Sequence, residues 1–449
     1  MNPFTFLRVA GRLKRMRQHD RWTRDELRAY QLHQQRRVRT HAYARSPFYR
    51  DFHQGSYDAP LSELPPLSKM RMMEKYDEFV TDRAIQVGDV QRHLLDLKGD
   101  GRFQRRYRLT ATSGTTGQPG LFLYDTDEWL WIMASFWRAQ ELSGRHVDLR
   151  RRAKMASLGA IAPYYMTTRV AASLHSWWTP EVRLDVTEDF RRLAGALGSW
   201  QPEVLASYPS VVAKLAAEQI AGRLNIAPQR IFTGGEPLFP EWRSQLEAAW
   251  GRCVYDLYAA TEVGAVAAEC EEHRLHLMED LFIPEVVDAD DCPVPDGATG
   301  DKLLVTMFHR KTQPLIRYEL SDCLVISPEP CPCGRPFRVI DRIQGKAEHL
   351  IPLAARDGGT VSLHVFIVAD VMDRVPVRGW QVQAENGQLR LLLVGLRDDY
   401  DQTSISLALN RAFVAQGAAE TAIDIQRVDQ IPRGPSGKVV PVIIKKGPL

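Results

Sequence analysis

No stretch of this 449-residue chain approaches the roughly 18 consecutive apolar residues that a bilayer-spanning helix needs, which argues against a helical membrane protein. Cysteine is scarce: six thiols over this length build no disulfide framework and are better read as free or metal-bound. The start, Met1–Arg17, has only the short apolar stretch Pro3–Leu7 before a basic cluster. A secretory signal needs the reverse order, so the expectation is an intracellular, cytoplasmic protein. Internal repeats and low-complexity tracts are missing, and net charge is only +3. With 44% hydrophobic and 25% charged residues the composition is that of a globular protein. The length exceeds one ordinary core, so two or three domains are expected.

The small net charge conceals an uneven distribution. Residues 1–50 hold thirteen Arg and Lys against Asp20, Asp25 and Glu26. The bland reading is a solvated helix face; contact with an anionic membrane surface stays open. No nucleic-acid motif accompanies the charge, so no nucleic-acid partner is expected. Residues 1–80 read as mostly helical, broken at Ser46-Pro47 and Leu64-Pro65-Pro66. From about residue 100 to 340, short apolar runs (Val204–Ser207, Gln229–Phe232, Lys302–Met307) alternate with helical stretches (Ser210–Ala221, Pro240–Ala249), which is α/β patterning. After Gly345 the reading is a helix over Leu363–Val375, paired strands Gly379–Ala384 and Gln388–Val394 around an Asn-Gly turn, a helix over Asp401–Gln416 and a strand over Ala422–Val428. That order is close to a ferredoxin-like split βαβ.

The most informative segment is Thr110-Ala-Thr-Ser-Gly-Thr-Thr-Gly-Gln-Pro-Gly120, after the strand-like Phe103–Leu109. Glycine turns its backbone N–H inward at no Cβ cost. Thr112, Ser113, Thr115 and Thr116 add hydroxyl donors around Gly114 and Gly117, so the loop can wrap a polyphosphate. It is not a Walker loop, because no Gly-Lys-Ser/Thr follows. Alone, such a run is most often a surface turn. It is followed in order by Gly234-Gly235-Glu236-Pro237, Asp256-Leu-Tyr258-Ala-Ala-Thr261-Glu262-Val-Gly264, Arg317-Tyr318-Glu-Leu-Ser-Asp322, Asp341-Arg342-Ile-Gln-Gly345 and Pro435-Ser-Gly-Lys438.

This ordered series resembles the adenylate-forming superfamily, and its phenylacetate–CoA ligase branch with the capsule-biosynthesis homologues in particular. The likeness runs from about Trp22 to the end. It implies an α/β fold: a large multi-layer N-terminal adenylating domain over 1–342, and a small α+β, ferredoxin-like mobile C-terminal domain over 343–449 that carries Lys438, with the hinge near Arg342–Lys346. The implied roles follow the motifs. Thr112 to Gly117 would hold the β- and γ-phosphates of ATP, Glu262 would hold Mg²⁺, and Thr261 would contact the α-phosphate. Tyr258 would lie against adenine beside Gly234, Gly235, Glu236, Pro237 and Asp256. Asp322 and Arg342 would take the ribose, and Lys438 would bridge carboxylate and α-phosphate. Met155–Tyr165, Trp177-Trp178 and Tyr208 fall where the family builds its acyl pocket, and an aromatic lining suits an aryl or arylacetic acid. The chain departs from the family pattern at Gln118, usually Lys, at Ala259, usually Gly, and at Gly345-Lys346-Ala347-Glu348-His349, usually Gly-Arg-x-Asp-Asp.

Cys331-Pro-Cys333 is a compact thiolate pair, with Cys270, His273 and His276 upstream. Zinc accepts such a set in closed structural sites. The resemblance favours Cys270, His276, Cys331 and Cys333, with His273 as the alternative, for a structural Zn²⁺.

The expected activity is ATP- and Mg²⁺-dependent conversion of a carboxylic acid to an acyl-adenylate, followed by transfer to CoA. Two alternatives stand beside it: transfer to an amine, a hydroxyl or a carrier protein in capsule or natural-product synthesis, and an inactive nucleotide-binding homologue. The oligomeric state is not legible. Lys438→Ala should abolish adenylate formation while thiolysis of supplied acyl-adenylate persists; equal loss of both half-reactions, measured separately, would count against the role given to Lys438.

Overall fold

The computed structural model describes residues 3–112, 119–144, 153–174, 180–186 and 188–346, and in the C-terminal part 350–356, 358–364, 368, 371–372, 374–377, 379–385, 388–398, 400–415, 418–432 and 442–445. The N-terminal helices form where the sequence supplies caps and interruptions. Thr23 and Glu26 make a capping box that starts Arg24–Arg45, and Ser46 with Pro47 ends it and opens Pro47–Phe52. A second box, Asp125 with Glu128, starts Thr126–Leu142, a helix whose Trp129, Leu130, Ile132, Met133, Phe136 and Leu142 are all buried. It lies between the helix Pro3–His19 and the strand Gly264–Glu269.

Among the described residues the largest sheet has ten strands. One half is parallel, in the spatial order Glu181–Asp185, Met155–Gly159, Val204–Ser207, Arg230–Gly234, Val254–Ala260. The other half runs antiparallel through Gly264–Glu269, Leu275–Leu277, Val339–Lys346, Asp322–Ile326 and Thr299–Gly300. The chain changes from one regime to the other at the turn Thr261-Glu262-Val263. Gly264 closes that turn at φ +89°, and a Cβ there would lie 2.9 Å from Ile132 Cδ1. A three-stranded sheet (Phe282–Val287, Lys302–Met307, Tyr318–Leu320) and the hairpin Arg108–Ala111/Leu121–Tyr124 complete this part. The strand before the hydroxyl-rich loop is thus shorter than Phe103–Leu109: Phe103 and Tyr107 close a tight turn, and extended pairing starts at Arg108.

Part of the basic start is ion-paired to the body, while most of its cations are exposed as a solvated helix face would be. Arg17 Nε donates to Glu141 at 2.9 Å, Arg12 pairs with Asp127, and Arg24 meets Glu279 at 2.8 Å. Deeper, buried Arg138 bonds Asp280 at 2.6 Å and also Asp20, while His19 Nδ1 lies 2.8 Å from Asp280. Burial alone would raise the Asp280 carboxyl, but Arg138 and His19 hold it below its usual value.

A separate apolar core joins Ile351, Leu353, Trp380, Val382, Leu391, Leu393, Leu409, Phe413 and Val442. Its sheet orders Ile423–Arg427, Gln388–Val394, Gly379–Glu385, Val442–Lys445, with the helix Gln402–Ala415 beside it. The α+β character matches the pattern read from the sequence. Within it the two strands joined by that helix are immediate parallel neighbours, whereas a split βαβ would put a strand between them. Leu363 lies in the strand Thr360–His364, so the helix expected over Leu363–Val375 begins later, and Val368, Val371 and Met372 are helical. The strand Val442–Lys445 was not expected from the sequence, although the turn-rich Gly434-Pro435-Ser436-Gly437 stands before it.

Arg138→Met should cost about 3–5 kcal/mol, because it leaves Asp280 and Asp20 buried without their cation. Asp280 has a depressed carboxyl, so its contribution is present above the unfolded carboxylate range and is lost as pH falls through its folded value. Denaturant unfolding of wild type and variant near neutral pH and in acid should therefore show the difference shrinking in acid.

Candidate active site

Parallel strands present their carboxyl ends at one edge, and the loops that follow them are where α/β sheets bind ligands. Here those connections hold 160–165, Tyr208 with the first residues of the helix Pro209–Ile220, Gly235–Phe239 and Thr261–Val263, following Gly159, Ser207, Gly234 and Ala260. A bulge between Tyr258 and Ala259 re-aims side chains just before the last of them.

Two tyrosine–carboxylate pairs define the centre. Tyr258 Oη donates to Asp322 Oδ2 at 2.6 Å, joining the strand Val254–Ala260 to the start of Asp322–Ile326. Tyr318 Oη donates to Glu262 Oε1 at 3.4 Å. Burial, and then the neighbouring carboxylate, push both phenols well above their ordinary range, so each stays a neutral donor. Tyr124 locks the turn itself: its hydroxyl donates to the carbonyl of Thr261 at 2.5 Å and lies 3.2 Å from that of Glu262. Tyr124 ends the hairpin strand Leu121–Tyr124, so the hairpin that carries the hydroxyl-rich loop is tied to the Thr261-Glu262 turn at this one ring. Arg310 stacks over it at 3.9 Å.

The base of the loop is also visible. Thr112 Oγ1 accepts from Gly120 N at 2.8 Å and Thr112 N donates to Gly120 O, which pinches the hairpin at the loop's two ends. Ser113, Gly114, Thr115, Thr116, Gly117 and Gln118 lie outside the described residues, as do Trp177, Trp178, Glu348, His349 and Lys438.

Among the residues that the resemblance gives to adenine, Gly234 ends its strand against Leu257: a Cβ there would stand 2.6 Å from the Leu257 carbonyl oxygen. Gly235 follows at φ +79°. Glu236 is buried and accepts from Ser210 N at 3.1 Å, capping the helix Pro209–Ile220. Asp256 accepts from Thr233 Oγ1 at 2.8 Å; burial, with the charge of Glu269 second, pushes its carboxyl up to about 7. Tyr208 is buried, and its hydroxyl accepts from Ala160 N at 3.3 Å. Ala111 N donates to Tyr164 O at 3.0 Å, which brings the 160–165 segment to the root of the loop. Arg342 is exposed on Val339–Lys346, the strand paired with that of Asp322.

Sequence reasoning assigned nothing to Tyr124 or Tyr318. Tyr318 stood inside a quoted motif, but only tertiary contact reveals that its hydroxyl faces Glu262. Arg317, its neighbour, is a structural clamp: buried at φ +46°, it bonds Glu285 and the Leu64 carbonyl.

Farther along the sheet, Cys270, His276, Cys331 and Cys333 place one ligand atom each within 4.8 Å of one another. Cys270 Sγ and Cys331 Sγ are 3.7 Å apart, and Cys333 Sγ is 3.3 Å from His276 Nε2. His276 Nδ1 sits 3.0 Å from the Phe337 carbonyl, the contact that leaves Nε2 free to coordinate. The donor chemistry fits a tetrahedral S₃N metal site. His273 is not brought there: it stacks on Tyr255 at 4.8 Å, with Nδ1 3.5 Å from Glu269.

The AMP-binding enzyme family model matches residues 108–305, the stretch that contains the hairpin, the parallel strands and the Thr261-Glu262 turn. The phenylacetate–coenzyme A ligase of Aromatoleum evansii is 28% identical over 353 residues, 73% of this chain and 72% of that protein. These matches carry the same likeness as the motifs, to the adenylate-forming superfamily and its phenylacetate–CoA ligase branch. Protein CapK of Staphylococcus aureus is 24% identical over 255 residues, 56% of this chain and 55% of that protein. A solved 2-hydroxyisobutyryl-CoA ligase in its postadenylation state shares the fold at TM-score 0.75 and 17% identity, over 95% of this chain and 91% of that one. With the family-model match and the ligase relatives, the chain is an enzyme, an adenylate-forming acid ligase. No helix among the described residues is long and apolar enough to cross a membrane.

Proposed function

We propose that this adenylate-forming enzyme activates an aryl or arylacetic acid and passes the acyl group to the thiol of CoA. The observation that carries the reading is the Tyr258–Asp322 bond beside the Tyr318–Glu262 pair, at the carboxyl edge of the parallel strands and tied through Tyr124 to the hairpin that carries the hydroxyl-rich loop. One carboxylate oxygen of the acid attacks the α-phosphorus of ATP, the bond to the β-phosphate oxygen breaks, and pyrophosphate leaves. Both partners are anionic, so the protein's task is electrostatic and positional. Asp322, oriented by Tyr258, is suited to accept from the ribose hydroxyls. Glu262, oriented by Tyr318, would hold Mg²⁺, which supplies charge neutralisation on the phosphates. Tyr258 itself offers an aromatic face to adenine.

In this reading residues 1–342 form the adenylating domain and 343–449 the lid that delivers Lys438. An aromatic acid is favoured by Tyr208, whose hydroxyl meets the Ala160 backbone, and by the paired rings of Tyr164 and Tyr165, with the Tyr164 carbonyl at the root of the loop. Transfer to another acceptor is the second reading, favoured by the likeness to CapK and by the departure at Gly345–His349 from the hinge sequence of the family. The four-residue Cys/His set would hold a structural zinc that ties the strand-end Cys270 to the Cys331-Pro-Cys333 loop.

Pyrophosphate release should depend on an arylacetic or aryl acid and, in the first reading, on CoA. Release without CoA dependence would move the assignment to another acceptor, and silence over aryl, arylacetic, fatty and amino acids would overturn the aromatic reading. Asp322→Asn should raise KM for ATP at least tenfold, with the KM for the acid changed little. Elemental analysis should find about one zinc per chain, lost with a lower Tm in Cys331→Ser; a metal-free wild type of full stability would remove the zinc assignment.

A further inference from the structure

The helix Pro3–His19 has two faces of different kind. Val9, Leu13 and Met16 are fully buried, and Phe6 packs on Trp137 with ring centroids 5.5 Å apart. With Arg12 paired to Asp127 and Arg17 to Glu141, the helix is fastened along the body by Thr126–Leu142. The opposite face, at the 3.6-residue period, carries Phe4, Leu7, Gly11, Lys14, Arg15 and Gln18. Phe4 is 68% and Leu7 67% exposed, one turn apart, and Gly11, Lys14, Arg15 and Gln18 are exposed beside them. No acidic residue stands on this stripe.

We propose that this stripe is a docking surface for an anionic lipid bilayer, with Phe4 and Leu7 entering the headgroup–acyl boundary while Lys14 and Arg15 meet lipid phosphates. The proposal is independent of which acid or acceptor the enzyme uses. Charge complementarity selects the occupant. A basic face with outward aromatic and aliphatic side chains suits an interface that is anionic outside and apolar beneath. A second copy of the chain is disfavoured because a two-fold contact through this stripe would oppose Lys14 and Arg15 to their own equivalents. Two apolar side chains also fall far short of the roughly 800 Å² per partner of a stable protein interface. A nucleic-acid backbone would use the cations but leave Phe4 and Leu7 in water. Because the helix is already folded and fastened, docking would need no coupled folding step, and it would hold the enzyme at a surface where an acid of low water solubility is available.

Vesicle co-sedimentation of the full chain tests this. Phosphatidylcholine vesicles containing 30 mol% phosphatidylglycerol (~30%, a usual anionic content) should retain the protein, and pure phosphatidylcholine should not. Phe4→Ser with Leu7→Ser, and separately Lys14→Glu with Arg15→Glu, should each lower the partition coefficient about tenfold or more, with Tm and pyrophosphate release in solution unchanged. Binding to the anionic vesicles that persists in both variants would overturn the assignment to this face. Equal retention by neutral vesicles, or concentration-dependent dimerisation abolished by Leu7→Ser, would overturn the lipid assignment itself.

Discussion

The reversal of strand direction at Thr261-Glu262-Val263 is the constraint on which the candidate site depends. A parallel strand, Val254–Ala260, delivers Asp256 and Tyr258, and an antiparallel one, Gly264–Glu269, leads away, so the carboxylate between them stays at the sheet's edge. That turn is held by contacts from three other segments. Tyr124 binds its carbonyls, Tyr318 binds the Glu262 side chain, and Ile132 and Ser135 crowd Gly264 so closely that a side chain has no room. In the proposed function Glu262 holds Mg²⁺ on a polyphosphate, and such a carboxylate is best fixed before the ligand arrives, since reorganisation would weaken the electrostatic gain.

The same packing links the N-terminal helices to the chemistry at one remove. Thr126–Leu142 presses on Gly264 with one side and receives Pro3–His19 on the other. Arg138, on that helix, anchors Asp20 and Asp280. The basic start is thus divided between cations that fasten it to the body and cations left on its outer face, a division that net charge cannot reveal. Cys270, at the end of the strand Gly264–Glu269, and His276, on the next strand, connect the same antiparallel run to the Cys331-Pro-Cys333 loop.

Legibility followed the range of the interaction that determines each feature. Helices with Pro at N1, Pro209–Ile220 and Pro240–Trp250, were readable within a residue or two, and the end of Arg24–Arg45 was readable from Ser46-Pro47, because these signals are local. The hairpin Gly379–Glu385/Gln388–Val394 was readable from its Asn-Gly turn. The late start of the helix after His364 and the strand Val442–Lys445 were not, because Leu363 pairs with Ile351 and Val442 with Val382 across long stretches of sequence. A period of apolar residues does not say which distant strand will claim them.

By itself the sequence determined the α/β class, the order of motifs and the family likeness, since these rest on residue types at fixed spacing. It also narrowed the thiol set to Cys270, Cys331 and Cys333 with one of two histidines. Only the tertiary structure decided that His276 faces the thiols while His273 stacks on Tyr255, that Tyr258 bonds Asp322 and Tyr318 bonds Glu262, and that Arg12 and Arg17 are paired while Phe4 and Leu7 face outward. The physical reason is common to all of them. Each is a contact between segments far apart in sequence, and direction, distance and burial at such a contact are set by packing rather than by the residues on either side of it.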